Sequence, residues 1–150
     1  MNGILQTIEW FDFEPIKSRG GRNFMGARQL QLSHSCRDKN RDNAGNWRVI
    51  FGKDITSEVL SLSKEFTFKF GRNVYTGECF IVFEAGAPKL GYSEKELKRS
   101  GRICYTSKPL FEAFCDMLGI DKATPCRLYF DLSQSLSNSN DLLTYKILKQ

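Results

Sequence analysis

Phenylalanine recurs at every second position in Phe66-Thr67-Phe68-Lys69-Phe70, with polar residues between. Successive side chains of an extended chain point to opposite faces, so this pattern specifies a strand with one apolar face. A helix would put Phe68 on the far side of its barrel from Phe66. The same period of two returns in Cys79-x-Ile81-x-Phe83, in Leu128-x-Phe130-x-Leu132 and in Leu143-x-Tyr145-x-Ile147. Strands that are apolar on one side only must cover that side, so the chain is committed to a sheet with a single buried face.

The second constraint is repetition. Arg48-Val49-Ile50-Phe51 matches Arg102-Ile103-Cys104-Tyr105 at an offset of 54, and the same offset pairs Val59 with Ala113, Leu60 with Phe114 and Glu58 with Glu112. Phe66 to Phe70 matches Leu128 to Leu132 at an offset of 62, and Cys79 to Phe83 matches Leu143 to Ile147 at 64. The offset grows only where loops absorb insertions. Each unit reads strand, helix, strand, turn, strand.

Local signals support the helices. Ser107 is an N-cap, Pro109 sits in the first turn where its missing N–H costs nothing, and Gly119 stops the helix. Leu110, Phe111, Phe114, Cys115 and Leu118 share one face of it. In the first unit Asp54 is the expected cap of a shorter helix carrying Ile55, Val59, Leu60 and Leu62. Turns are expected at 71–77 and 133–140. Residues 85–101 form a connector with an exposed helical turn near Ser93–Arg99. Upstream, residues 4–13 read as a strand ended by Glu14-Pro15, and residues 27–33 as a second strand with Leu30 and Leu32 on one face. The expected fold is mainly β with short helices (α+β): a compact barrel or sandwich built from two tandem β-α-β-β units plus an N-terminal β-ribbon. One domain spans 1–150, divided into N-terminal strands and basic loop (1–46), first repeat (47–84), connector (85–101) and second repeat (102–150).

Gly101-Arg102-Ile103-Cys104-Tyr105, the helix from Phe111 to its Leu118-Gly119-Ile120 ending, and Arg127 to Leu132 together resemble the swapped-hairpin unit of AbrB- and MazE-type proteins. The resemblance covers 101–148, and 47–84 more faintly. It implies two units interleaved into one small barrel, a fold that in that family commonly binds DNA. Where the family has a Gly-Asp turn before its second long strand, this chain has Ala123-Thr124-Pro125-Cys126, and the first unit lacks the Leu-Gly-Ile helix end.

The formal charge of +5 is not spread evenly. Residues 1–16 carry −3, residues 54–150 carry +1, and residues 17–53 carry +7 through nine basic residues against Asp38 and Asp42. Six of the nine are arginines, whose planar fork suits phosphate and carboxylate. Arg19, Arg22, Arg28, Lys39, Arg41 and Arg48 are therefore candidate nucleic-acid or anion contacts. The Gly20-Gly21 turn either presents backbone N–H groups to an anion or closes a ribbon. Trp47 either stacks on a base or anchors the loop to the domain, and Phe24 lies in the same segment. A solvated loop whose charges only keep it soluble is the plain alternative.

Little else points to chemistry. His34 is the sole histidine, and Cys36 two residues on shares its strand face, but nothing nearby is an obvious orienting carboxylate. Phosphate-binding and nucleophile-elbow motifs are absent, which leaves a catalytic assignment empty. Five cysteines without a Cys-x-x-Cys pair argue for free thiols in a reducing compartment, with neither structural metal nor cofactor. Without an export signal or a long apolar run, the expected location is cytoplasmic and off the membrane. Three partners fit: a nucleic acid (DNA ahead of RNA), an acidic host protein bound by a small phage or mobile-element type inhibitor, or a phosphorylated nucleotide held by the Gly20-Gly21 turn. The chain could act as monomer or homodimer.

Overall fold

The computed structural model describes residues 25–36, 45–121, 126–136 and 141–148. The strand expected at 4–13, the Gly-rich turn and the centre of the loop between Arg37 and Asn46 lie outside the described residues. Ten elements follow in order: β1 (Gln29–Cys36), β2 (Gly45–Phe51), α1 (Lys53–Leu62), β3 (Phe66–Arg72), β4 (Cys79–Ala85), α2 (Glu94–Ser100), β5 (Ile103–Thr106), α3 (Lys108–Leu118), β6 (Cys126–Leu132) and β7 (Leu142–Leu148). The strands form one antiparallel sheet ordered β3-β4-β7-β6-β1-β2-β5, curled into a half-barrel.

Strand, helix, strand, strand thus occurs twice, as β2-α1-β3-β4 and β5-α3-β6-β7. The ladders joining the units carry the sign of a two-fold. Antiparallel pairing runs outward symmetrically from a central pair, and in β2–β5 Ile50 faces Cys104, its counterpart at an offset of 54. In β4–β7 Ile81 faces Tyr145, its counterpart at 64. A two-fold exchanging the units passes through both pairs. The hairpins refine the alignment: Leu132 faces Ile147 as Phe68 faces Phe83, so β3 and β6 correspond at 64 rather than at the 62 read from the letters. Apolar alternation has a period of two and is blind to a slip of two.

The inner face is aromatic and shared. Phe51, Phe83 and Tyr145 are buried, with ring centroids 5.2 Å (Phe51–Phe83) and 6.0 Å (Phe83–Tyr145) apart. Phe68 meets Tyr105 at 5.2 Å, and Phe70 stacks on Phe114 at 4.1 Å. Each of these contacts except Phe51–Phe83 crosses between units, so neither unit can bury its rings alone.

The helix of the second unit, α3, begins and ends as expected: the Ser107 side chain accepts from Leu110 N, and Gly119 adopts φ 72° with its N–H donating to Cys115 O. Ser93 likewise caps α2, accepting from Glu96 N. The first helix departs from expectation. Its N-cap is Gly52, without a side-chain cap, and Asp54 sits in the first turn. Crowding explains the glycine: a Cβ there would stand 2.3 Å from Ala27 O and 2.5 Å from Gly26 O. Gly52 N–H donates to Gln29 O (2.8 Å) and Asp54 N–H to Ala27 O (3.0 Å), so the turn leading into β1 lies directly on the start of α1. Thr56, buried in that helix, accepts from Ile103 N (2.9 Å) and donates to Phe51 O (3.2 Å), tying α1 to β2 and β5.

Gly52→Ala is therefore expected to cost about 2 kcal/mol or more, because backbone cannot retreat as a side chain can. Gly71→Ala, whose Cβ meets nothing within 4 Å, should stay within about 0.5 kcal/mol of wild type. Urea unfolding midpoints of the two variants measure the contrast.

Candidate functional site

Strand register decides which basic residues meet. Ser33 faces Arg48 across β1–β2 and Arg127 across β1–β6, and Arg48 in turn faces Thr106. Paired residues share a sheet face, so Arg127, Ser33, Arg48 and Thr106 form one row across four strands. This row lies on the outer face, opposite to buried Leu32 and Val49. Neighbouring strands are about 4.8 Å apart, which separates the two arginine backbones by roughly 10 Å. Arg127 is exposed and Arg48 half-buried. Arg48 lies close enough to α2 to help hold the Glu96 carboxyl below its ordinary range, after the larger effect of the hydrogen bond from Arg99. It also opposes the burial that pushes the Cys104 thiol up.

The next row inward is aromatic. His34 faces Trp47 and Cys126. Its ring stacks on Trp47 at 4.9 Å and 19°, and meets the edge of Phe111 at 5.7 Å. Above the indole lies the Lys108 ammonium, 5.0 Å from the ring centroid, at the N-terminal turn of α3. Trp47 is half-buried and packs against the core. Among the described residues β1 and β2 continue beyond these rows as a two-stranded ribbon, with Ser35 paired to Asn46 and Cys36 to Gly45. Residues 37–44, which hold Arg37, Lys39 and Arg41, join those paired ends.

Arg28 belongs elsewhere. Its guanidinium pairs with Glu58, donates to Ser133 O at 2.9 Å, and lies 5.9 Å over the Tyr145 ring. Tyr145, fully buried, donates its hydroxyl to the other Glu58 oxygen at 2.6 Å. Burial pushes the Glu58 carboxyl up, but the hydrogen bonds from Arg28 and Tyr145 outweigh it and hold the group below its ordinary value. The hydrogen bond to Glu58 raises Arg28 in turn. The cluster joins the turn before β1, helix α1 and strand β7.

Of the residues singled out in the sequence, Arg48 and Trp47 lie at the basic end and Arg28 in the Glu58 cluster. Arg19, Gly20, Gly21, Arg22, Lys39 and Arg41, with Phe24, lie outside the described residues. Arg127 and Lys108 escaped the sequence reading, because they belong to the second unit and no local pattern links them to Arg48. The register of β1 between β2 and β6 brings Arg127 there, and the β2–β5 ladder, which ends at Thr106, brings Lys108. His34 continues the face of Leu30 and Leu32, is 9% exposed, and its Nδ1 has no hydrogen-bond partner among the described residues. The Cys36 side chain lies outside the described residues.

Among the described residues no three His, Cys, Asp or Glu side chains converge as a metal site, and no helix is long and apolar enough to cross a membrane. Cys79, Cys104 and Cys115 are buried thiols outside any disulfide among the described residues. Neither a protein-family model, nor a curated protein, nor a solved structure was found to match the chain.

The Glu58 cluster sets an acid limit. A carboxyl with a depressed folded value contributes stability above its unfolded pKa, about 4.3. That contribution disappears as pH falls through the folded value. Wild-type Tm should therefore drop below pH 4.5 more steeply than that of Glu58→Gln, as scanning calorimetry across pH 3–7 can measure. At neutral pH Tyr145→Phe should cost about 1–2 kcal/mol through the lost bond to a charged acceptor.

Proposed function

We propose that this chain is a nucleic-acid-binding protein that acts without chemistry of its own, and that its interface is the end of the sheet marked by Arg127, Arg48 and Lys108. The observation that carries this reading is the cross-strand row Arg127–Ser33–Arg48. It brings arginines 79 positions apart in sequence to one outer face, and at the same end of the sheet Lys108 lies over the Trp47 indole on the other face. Rigid strands pre-orient guanidinium groups, so less side-chain freedom is lost on meeting a phosphate. The β1–β2 ribbon leaves from the same end, and the residues that join its strands add Arg37, Lys39 and Arg41 against Asp38 and Asp42. A two-stranded ribbon is of a size to enter the major groove of duplex DNA, which favours DNA over RNA, whose major groove is deep and narrow. The enclosure of His34 between Trp47 and Phe111 supports a binding role over acid–base catalysis.

A protein partner is the second reading, and it rests on a different place. Val74 and Tyr75 are 85% and 93% exposed at the tip of the β3–β4 turn. Asn73 Oδ1 accepts from the N–H groups of Tyr75 and Thr76, so the backbone under these side chains is held. An exposed tyrosine on a braced turn is the kind of group that anchors a protein interface.

Affinity for a DNA duplex should fall linearly with salt on logarithmic axes. Arg48→Ala and Arg127→Ala should each weaken binding and lower that slope by about one phosphate contact. Arg28→Ala should lower Tm and leave the slope unchanged. Fluorescence anisotropy between 50 and 300 mM salt measures all three. Salt-independent binding, or no binding to any duplex or single strand, contradicts the reading. Unchanged slopes in both arginine variants remove the interface. A Tyr75→Ala variant that loses a nuclease-resistant stoichiometric protein partner establishes the second reading instead.

A further inference from the structure

Helix α2 stands beside the arginine row. Cys104 pairs with Ile50, so it lies on the outer face of β5, in the row next to Arg48 and Thr106. It is nonetheless only 2% exposed. Helix α2 covers it: Ser93 N–H, at the helix start, donates to Cys104 O at 2.9 Å. Glu96 and Arg99 also lie near enough to bear on the thiol that burial pushes up. The helix is braced in that place. The Ser93 side chain accepts from Glu96 N, Ser100 Oγ donates to Glu96 O (2.9 Å), and Gly101, at φ 71°, donates its N–H to Leu97 O (2.8 Å).

Outward, the helix is basic. Leu97 and Ser100 are half-buried, whereas Lys95, Lys98 and Arg99 are exposed. Residues three and four apart are neighbours on a helix, so Lys95, Glu96 and Arg99 share one side. The hydrogen bond from Arg99, and then the charges of Arg99 and Arg48, outweigh burial and hold the Glu96 carboxyl below its ordinary range. That side of α2 is therefore the one toward Arg48. Arg99 grips both Glu96 oxygens, through Nε and a terminal nitrogen. Such a fork fixes the guanidinium plane and uses two of its five N–H donors. With its side chain 68% exposed, Arg99 keeps the other donors for a ligand.

Strand order supplies the span. The β1–β2 pair lies between β6 and β5, so Arg127 stands on one side of it and α2 on the other. Three strand spacings separate β6 from β5, roughly 14 Å in all. The major groove of duplex DNA is about 12 Å wide, with a phosphate backbone along each side. We infer that α2 meets the second of those backbones: Arg127 contacts one phosphate strand, Lys95 and Arg99 contact the other, and the β1–β2 pair lies over the groove between them. This rests on the nucleic-acid reading above and extends it to residues outside the basic segment. Charge counting conceals them, because residues 54–150 sum to only +1.

Fluorescence anisotropy of the full chain with a labelled DNA duplex, between 50 and 300 mM salt, tests this. The double variant Lys95→Ala/Arg99→Ala should lower the logarithmic salt slope by roughly 1.8, at about 0.9 for each phosphate contact. Its loss should add to that of Arg127→Ala, since the two sites are separate. Lys95→Ala alone, which breaks no ion pair among the described residues, should lower the slope by about 0.9. Lys146→Ala removes the same charge beside Ser133, roughly 20 Å along the strand from Arg127, and should leave the slope unchanged. An unchanged slope in the α2 variants, while Arg48→Ala and Arg127→Ala still lower it, overturns this inference and leaves the interface standing. So does an equal fall in Lys146→Ala, which would report net charge instead of contact. Salt-independent binding by the unaltered chain, or none, overturns both.

Discussion

The ladder between β4 and β7 is the contact on which the rest depends. It is the longest pairing between the two units, with six residue pairs from Cys79–Ile147 to Glu84–Leu142. It places Phe83 beside Tyr145 and lets Phe51 close over them. Each unit has too little apolar surface to enclose its own rings, and the shared inner face removes that difficulty. Because the ladder is centred on Ile81 and Tyr145, it also sets the two-fold that places β2 against β5 around Ile50 and Cys104.

Strand β1 breaks the symmetry, and the candidate site arises there. It belongs to neither unit, yet it pairs with β2 on one side and β6 on the other. That position gathers charges from both units onto one sheet end. It also explains the Glu58 cluster, since Arg28 lies at the entrance to β1 and draws α1 and β7 toward the same point. An arginine committed to a carboxylate and a carbonyl is a fastening, whereas Arg127 is exposed. The same residue type in the same charged region thus serves different ends according to its partners.

Much of this fold was legible in the residues. Alternating phenylalanines gave the strands and their buried face, Ser107, Pro109 and Gly119 marked α3, and the repeated order of elements stands twice in the structure. Three features were not legible, each for a physical reason. The hairpin offset was misplaced by two because period-two patterns do not report slips of two. The Gly52 cap was missed because the carbonyls that exclude a side chain come from residues 26 and 27, not from the helix. The basic end was half seen. Charge counting along the chain found Arg48, but Arg127 becomes its neighbour only through an intervening strand, which no local window contains.

Mapping a DNA duplex onto the protein by NMR titration tests the central claim most directly. The account predicts perturbed amides at Ser33, Arg48, Thr106, Lys108 and Arg127, with Arg28 and the Val74–Tyr75 turn silent. Perturbation centred on that turn, or no perturbation at low salt, would contradict it.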